Sequence, residues 1–121
     1  KLGARKWLAI EWMKFLNDID EHASAVQLRE LDKAYRLSGS GNDEVAFRFY
    51  RASVKAGNRD IRAPLHAFLL KVGRQKFVLP LYAALLKNPE DKAWATAVYK
   101  EARPRYHPAT QASVDKLMQQ K

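Results

Sequence analysis

Gly73-Arg74-Gln75-Lys76-Phe77, followed by Leu79-Pro80-Leu81, sets two fixed positive charges between two apolar runs. The run before them, Ile61, Leu65, Phe68, Leu69 and Val72, has helical spacing. A glycine just past such a run is expected to close the helix in the left-handed conformation. Pro80 opens the next run, Leu81, Tyr82, Leu85 and Leu86. Proline suits a first helical position and drives the residue before it toward extended geometry. These features predict a short extended connector over residues 74–79. In extended chain alternate side chains share a face, so Arg74, Lys76 and Val78 point one way and Gln75, Phe77 and Leu79 the other. Phe77 and Leu79 would anchor the connector while Arg74 and Lys76 face outward together. An Arg fork beside a Lys point charge is a receptor for a carboxylate or a phosphate. Basic loop residues are commonly just solvated, and on residue chemistry alone that plainer reading is preferred.

Other reactive chemistry is sparse. The histidines are His22, His66 and His107, and no two are three or four residues apart. Glu21 precedes His22 rather than following it, so there is no His-Glu-x-x-His helix to hold zinc. There is no Gly-x-Ser-x-Gly elbow and no phosphate loop. His66 reads as a partly buried helix residue, and His107 as a residue that caps or packs at a helix start. Catalytic residues and metal ligands are therefore assigned to none of these positions. With no cysteine, disulfides and thiolate metal sites are excluded, and nothing argues for secretion over a cytoplasmic location.

The elements that must position the cation pair are helices. Apolar residues recur at three and four, with no sustained alternation. The first helix covers about Ala4 to Asn17, with Leu8, Trp12, Phe15 and then Ile19 on one stripe. The second begins near Ser24, where Gln27 completes a capping box, and Leu28, Leu31 and Tyr35 form its face. Ser38-Gly39-Ser40-Gly41-Asn42 is a loop. The third runs from about Asp43 to Ala56 and stops at Gly57. The fourth reaches Val72, its regular part starting at Asp60 or at Pro64. The fifth is Pro80 to Lys87. Asn88-Pro89 caps the sixth, which runs to about Arg103 before Pro104. The seventh is Pro108 to about Gln119. About seven helices spaced about twenty residues apart imply an all-α fold, a right-handed α-α superhelix of hairpins like armadillo or HEAT units. Residues 1–121 read as one helical domain.

The chain has 121 residues, 47% of them apolar, enough for a real core. Trp7, Trp12 and Trp94 fill that core, or Trp7 and Trp12 form a face for a neighbouring domain. No apolar run could span a bilayer, and no signal peptide is visible. Lys plus Arg is 22 against 13 for Asp plus Glu, a net charge of +9. A basic balance admits a nucleic-acid or acidic partner. The charges are interleaved, as in Arg29-Glu30-Leu31-Asp32-Lys33, without a like-charge block or an RNA-binding aromatic signature, which argues against nucleic acid. The chain opens on Lys1 close to a helical pattern, as a piece of a longer protein or a processed chain would.

Gly73-Arg74-Gln75-Lys76-Phe77-x-x-Pro80-Leu81, then Tyr99-Lys100-Glu101, then His107-Pro108-Ala109-Thr110, resembles the C-terminal helical domain of leukotriene A4 hydrolase and related zinc aminopeptidases. The similarity is clearest from about Asp60 to about Thr110, with a weaker echo in Glu44-Val45-Ala46-Phe47-Arg48-Phe49. The resemblance implies a helical superhelix packed beside an upstream catalytic domain that holds the zinc; this piece alone would not hydrolyse peptides. It implies that the domain walls off one end of the substrate cleft. Arg74 would clamp the free carboxylate of a short peptide, with Lys76 as its helper. Gln75 departs from the residue expected between them. Epoxide hydrolysis depends on a catalytic pocket outside these residues, so aminopeptidase is the activity expected. The alternative is a free-standing basic helical-repeat module that binds nucleic acid or protein.

Overall fold

The computed structural model describes residues 9–20, 22–39 and 42–119. It is all-α, with no strand among the described residues. Two compact units divide between Arg62 and Ala63. The first holds α1 (Ala9–Ile19), α2 (Ala25–Tyr35) and α3 (Asp43–Ala56). The second holds α4 (Arg62–Lys71, whose first residue lies at the boundary), α5 (Gln75–Lys87), α6 (Pro89–Ala102) and α7 (Pro108–Gln119). Short 3-10 turns at Leu37–Gly39, Arg59–Ile61 and Arg103–Arg105 complete the path. None of the described helices is long and apolar enough to cross a membrane.

Local chemistry sets most boundaries. Ser24 Oγ accepts from the Gln27 amide at 3.1 Å while Gln27 Oε1 accepts from the Ser24 amide at 3.0 Å, the reciprocal box expected at the start of α2. Asn42 Oδ1 caps α3 by accepting from the Glu44 and Val45 amides. Asn88 Oδ1 caps α6 by accepting from Glu90, with Pro89 in the first turn. Gly57 ends α3 at φ 80°, where a side chain would be strained. The expected first-helix residues before Ala9, and Trp7 with them, lie outside the described residues. Trp12 is half-buried, edge-on to Phe15 at 5.9 Å and Tyr35 at 5.1 Å.

In the first unit α3 packs against α1 and α2 over Leu16, Leu28, Val45, Phe49 and Ala52. A buried carboxylate joins two of these helices. Asp20, at the end of α1, accepts from Arg51 Nε at 3.2 Å and from Lys55 Nζ, both on α3. In the second unit α5 packs against α6 and α7. Its stripe of Phe77, Val78, Leu81, Tyr82 and Leu85 is buried along its full length.

Candidate functional site

That stripe corrects the expected connector. The break between α4 and α5 is Val72–Arg74 alone, and α5 starts at Gln75, five residues before Pro80. Phe77 and Val78 are both buried, which needs neighbours on one helical face rather than alternation. Leu79, expected to anchor beside Phe77, is only half-buried. The amides of Phe77 and Val78 both donate to the Arg74 carbonyl at 3.0 Å, so the first turn closes ahead of the proline. Pro80 sits inside the helix, where it removes one backbone bond and crowds the Lys76 carbonyl. Burial of the apolar stripe outweighs that cost. Gly73 is corrected too: it does not take a positive φ, since among described glycines only Gly57 does. Its constraint is spatial, because a β-carbon there would stand 3.4 Å from the Tyr106 ring.

The cation pair survives the change of backbone. Arg74 is the N-cap residue of α5, extended at φ −69° and ψ 126°, and Lys76 lies in the first turn. Residues two apart on a helix diverge, yet one ring holds these two together. The Arg74 guanidinium lies 5.5 Å and the Lys76 ammonium 5.2 Å from the centroid of Phe77. Phe77 is itself only 1% exposed, so it is a fixed platform for two exposed cations.

The electrostatics of this helix start differ from those of α3 and α6. α3 begins with Asp43 and Glu44 behind an Asn cap, and α6 with Glu90 and Asp91 behind another. Acids there match the positive end of the helix dipole. α5 has no acid in its first turn and no side-chain cap, and carries two cations instead. Cations at that end cost stability, by about 0.3–1 kcal/mol each. An anion docked between them reverses the sign, because helix amides and both side chains then act together.

Aromatic and polar groups from the 103–110 corner hold the turn that carries Arg74. Tyr106 OH donates to the Leu69 carbonyl at 2.8 Å, near the end of α4. That uses its one proton, so Tyr82 OH donates to Tyr106 Oη across 3.0 Å. Thr110 Oγ1 donates to the Gly73 carbonyl at 3.5 Å. Burial first, then donation to Tyr106, pushes the Tyr82 phenol well above its ordinary range. Tyr99 OH donates to Asp115 Oδ1 at 2.5 Å, with the Gln111 carbonyl 3.1 Å from the same phenol oxygen, and burial with that carboxylate pushes it up to about 12. Arg103 donates twice to Asp115, Nε to Oδ1 at 2.9 Å and NH2 to Oδ2 at 2.6 Å. These phenols are structural donors, kept neutral at physiological pH.

Sequence reasoning missed the partner of His66. A carboxylate does reach it, from thirty-five residues away: His66 Nε2 lies 2.9 Å from Glu101 Oε1. Only the tertiary approach of α4 and α6 at that point could reveal it. His107 caps as expected, its Nδ1 accepting from the Ala109 amide at 3.1 Å. Among the described residues no three His, Asp or Glu side chains converge as metal ligands.

Two cations at an uncapped helix start are chemically suited to an anion. The site presents no nucleophile paired with a base. A family model described as "Leukotriene A4 hydrolase, C-terminal" matches residues 7–118. The match spans the cation pair, its Phe77 platform and the Tyr106–Thr110 buttress. The chain belongs to the leukotriene A4 hydrolase C-terminal domain family.

Proposed function

We propose that this chain is the substrate-carboxylate end of a zinc aminopeptidase. Its partner is a catalytic domain of the same protein, which holds the zinc and supplies the hydrolytic chemistry. Arg74 is the main clamp for the free carboxylate of a short peptide, and Lys76 assists. The observation that carries this reading is the α5 start: two exposed cations on one buried ring, with no acid and no side-chain cap.

The mechanism is positional. A peptide carboxylate accepts the paired N–H donors of Arg74 and the point charge of Lys76. Pinning that end fixes where the amino end of a short peptide falls, so binding energy becomes alignment at the scissile bond. Buttressing by Tyr106 and Thr110 keeps the clamp from moving as the peptide loads.

Arg74→Ala in the full-length enzyme tests this. Loss of charge-assisted bonds worth about 1.5–3 kcal/mol predicts a fall in kcat/KM for tripeptides of about ten- to a hundredfold. A peptide amide lacking the carboxylate should be hydrolysed equally by both forms. Unchanged tripeptide turnover in the variant would sink the assignment.

A further inference from the structure

Two arginines share the 3-10 turn at Arg103–Arg105, and they are used differently. Arg103 is bound bidentately by Asp115. Arg105 is exposed and pairs with no carboxylate among the described residues. Its backbone lies against the clamp: the Arg105 carbonyl oxygen is 3.9 Å from where a β-carbon on Gly73 would stand, and Gly73 directly precedes Arg74. The corner is fixed in place. Pro104 restricts the turn, the Tyr106 amide donates to the Arg103 carbonyl at 3.0 Å, and Tyr106 OH holds Leu69.

The backbone that carries this further arginine therefore passes beside a helix start that already bears two cations, within the reach of an extended Arg side chain. Like charges brought together repel, and two carboxylates of this unit are committed elsewhere, Asp115 to Arg103 and Glu101 to His66. A single carboxylate presents two oxygens and one charge, which Arg74 and Lys76 satisfy between them. An uncompensated third cation fits a ligand with a second negative group close to the first.

We propose that Arg105 is a specificity-determining residue beside the Arg74–Lys76 clamp, and that it selects peptides whose C-terminal residue carries its own acid, Glu or Asp. This rests on the carboxylate-clamp reading above. The side-chain acid of such a residue lies a few bonds from the terminal carboxylate, so one ligand can meet all three cations. A long, exposed Arg with no carboxylate partner among the described residues can swing toward it.

The test uses the full-length enzyme and two isosteric tripeptides, Ala-Ala-Glu and Ala-Ala-Gln. Wild type is expected to favour the acidic peptide in kcat/KM by about three- to tenfold, mostly through KM, the range of one solvent-accessible charge-assisted contact. In Arg105→Gln that ratio should fall to near one, and Arg105→Lys should keep part of it. High salt should shrink the wild-type ratio. A wild-type ratio near one, or a ratio that persists in Arg105→Gln, overturns the proposal. Arg74→Ala run on both peptides separates the two ideas. If it impairs both while Arg105→Gln leaves the ratio intact, the clamp stands and the Arg105 role falls. If it impairs neither, the clamp and this inference fall together.

Discussion

At the residue scale, Phe77 is the side chain on which the site depends most directly. It is buried as core, yet its ring underlies both Arg74 and Lys76. One residue thus links packing to charge placement, which explains how two cations on diverging helical directions still act as a pair. Their roles differ by chemistry. In the proposed clamp the planar fork of Arg74 at the helix cap would align the ligand, and the point charge of Lys76 would raise affinity without fixing orientation. Lys76→Ala in the full-length enzyme should therefore raise KM severalfold and leave kcat nearly unchanged. Steady-state kinetics on a tripeptide decides it, and a large fall in kcat alone would contradict the helper role.

At the element scale, α5 shows tertiary burial overriding a local stop signal. Pro80 lies six residues into the helix and contributes no amide to it. Pro80→Ala restores one backbone bond and removes the clash, at the cost of a more flexible unfolded chain. The net expectation is a gain of about 1–2 kcal/mol, read as a higher denaturant midpoint; a loss would mean that the ring packs better than a methyl group does. The α6–α7 latch responds to acid instead. Hydrogen bonds from Arg103, then from Tyr99, hold the Asp115 carboxyl down at about 2 against an ordinary 3.8. A depressed folded value gives stability that is whole above the unfolded pKa and is lost as pH falls through the folded one. The latch should thus be intact at pH 5 and above and weaken between about 4 and 2. Helical circular dichroism against pH should show Asp115→Asn flattening that part of the acid transition. Superimposable acid curves for the two proteins would refute the assignment.

For the whole molecule, the net charge of +9 calls for a decision between partners. Several cations already have carboxylate partners within the two units: Arg51 and Lys55 share Asp20, Arg48 meets Glu44, and Arg103 meets Asp115. What distinguishes the α5 start is a short patch suited to one small anion rather than a track along a phosphate backbone. Titration with single-stranded and duplex oligonucleotides across salt should show no micromolar binding at low salt. A steep log-linear salt dependence at micromolar affinity would instead support the basic binding-module reading.

The sequence by itself determined where most helices begin and end, because caps and stops act within a few residues. Ser24 with Gln27, Asn42, Gly57, Asn88-Pro89 and His107 were all legible for that reason. It also identified the cation pair, through residue types and a family resemblance that the match over residues 7–118 bears out at the level of the family. Only the tertiary structure decided the backbone under that pair. Proline and glycine marked residues 74–79 as extended, but burying Phe77 and Val78 together required a helix. Tertiary packing alone also brought Tyr106 and Thr110 to the Gly73 turn, set Glu101 against His66, and laid the Arg105 carbonyl beside Gly73. Those contacts join residues some thirty positions apart, and no local propensity carries information over that distance.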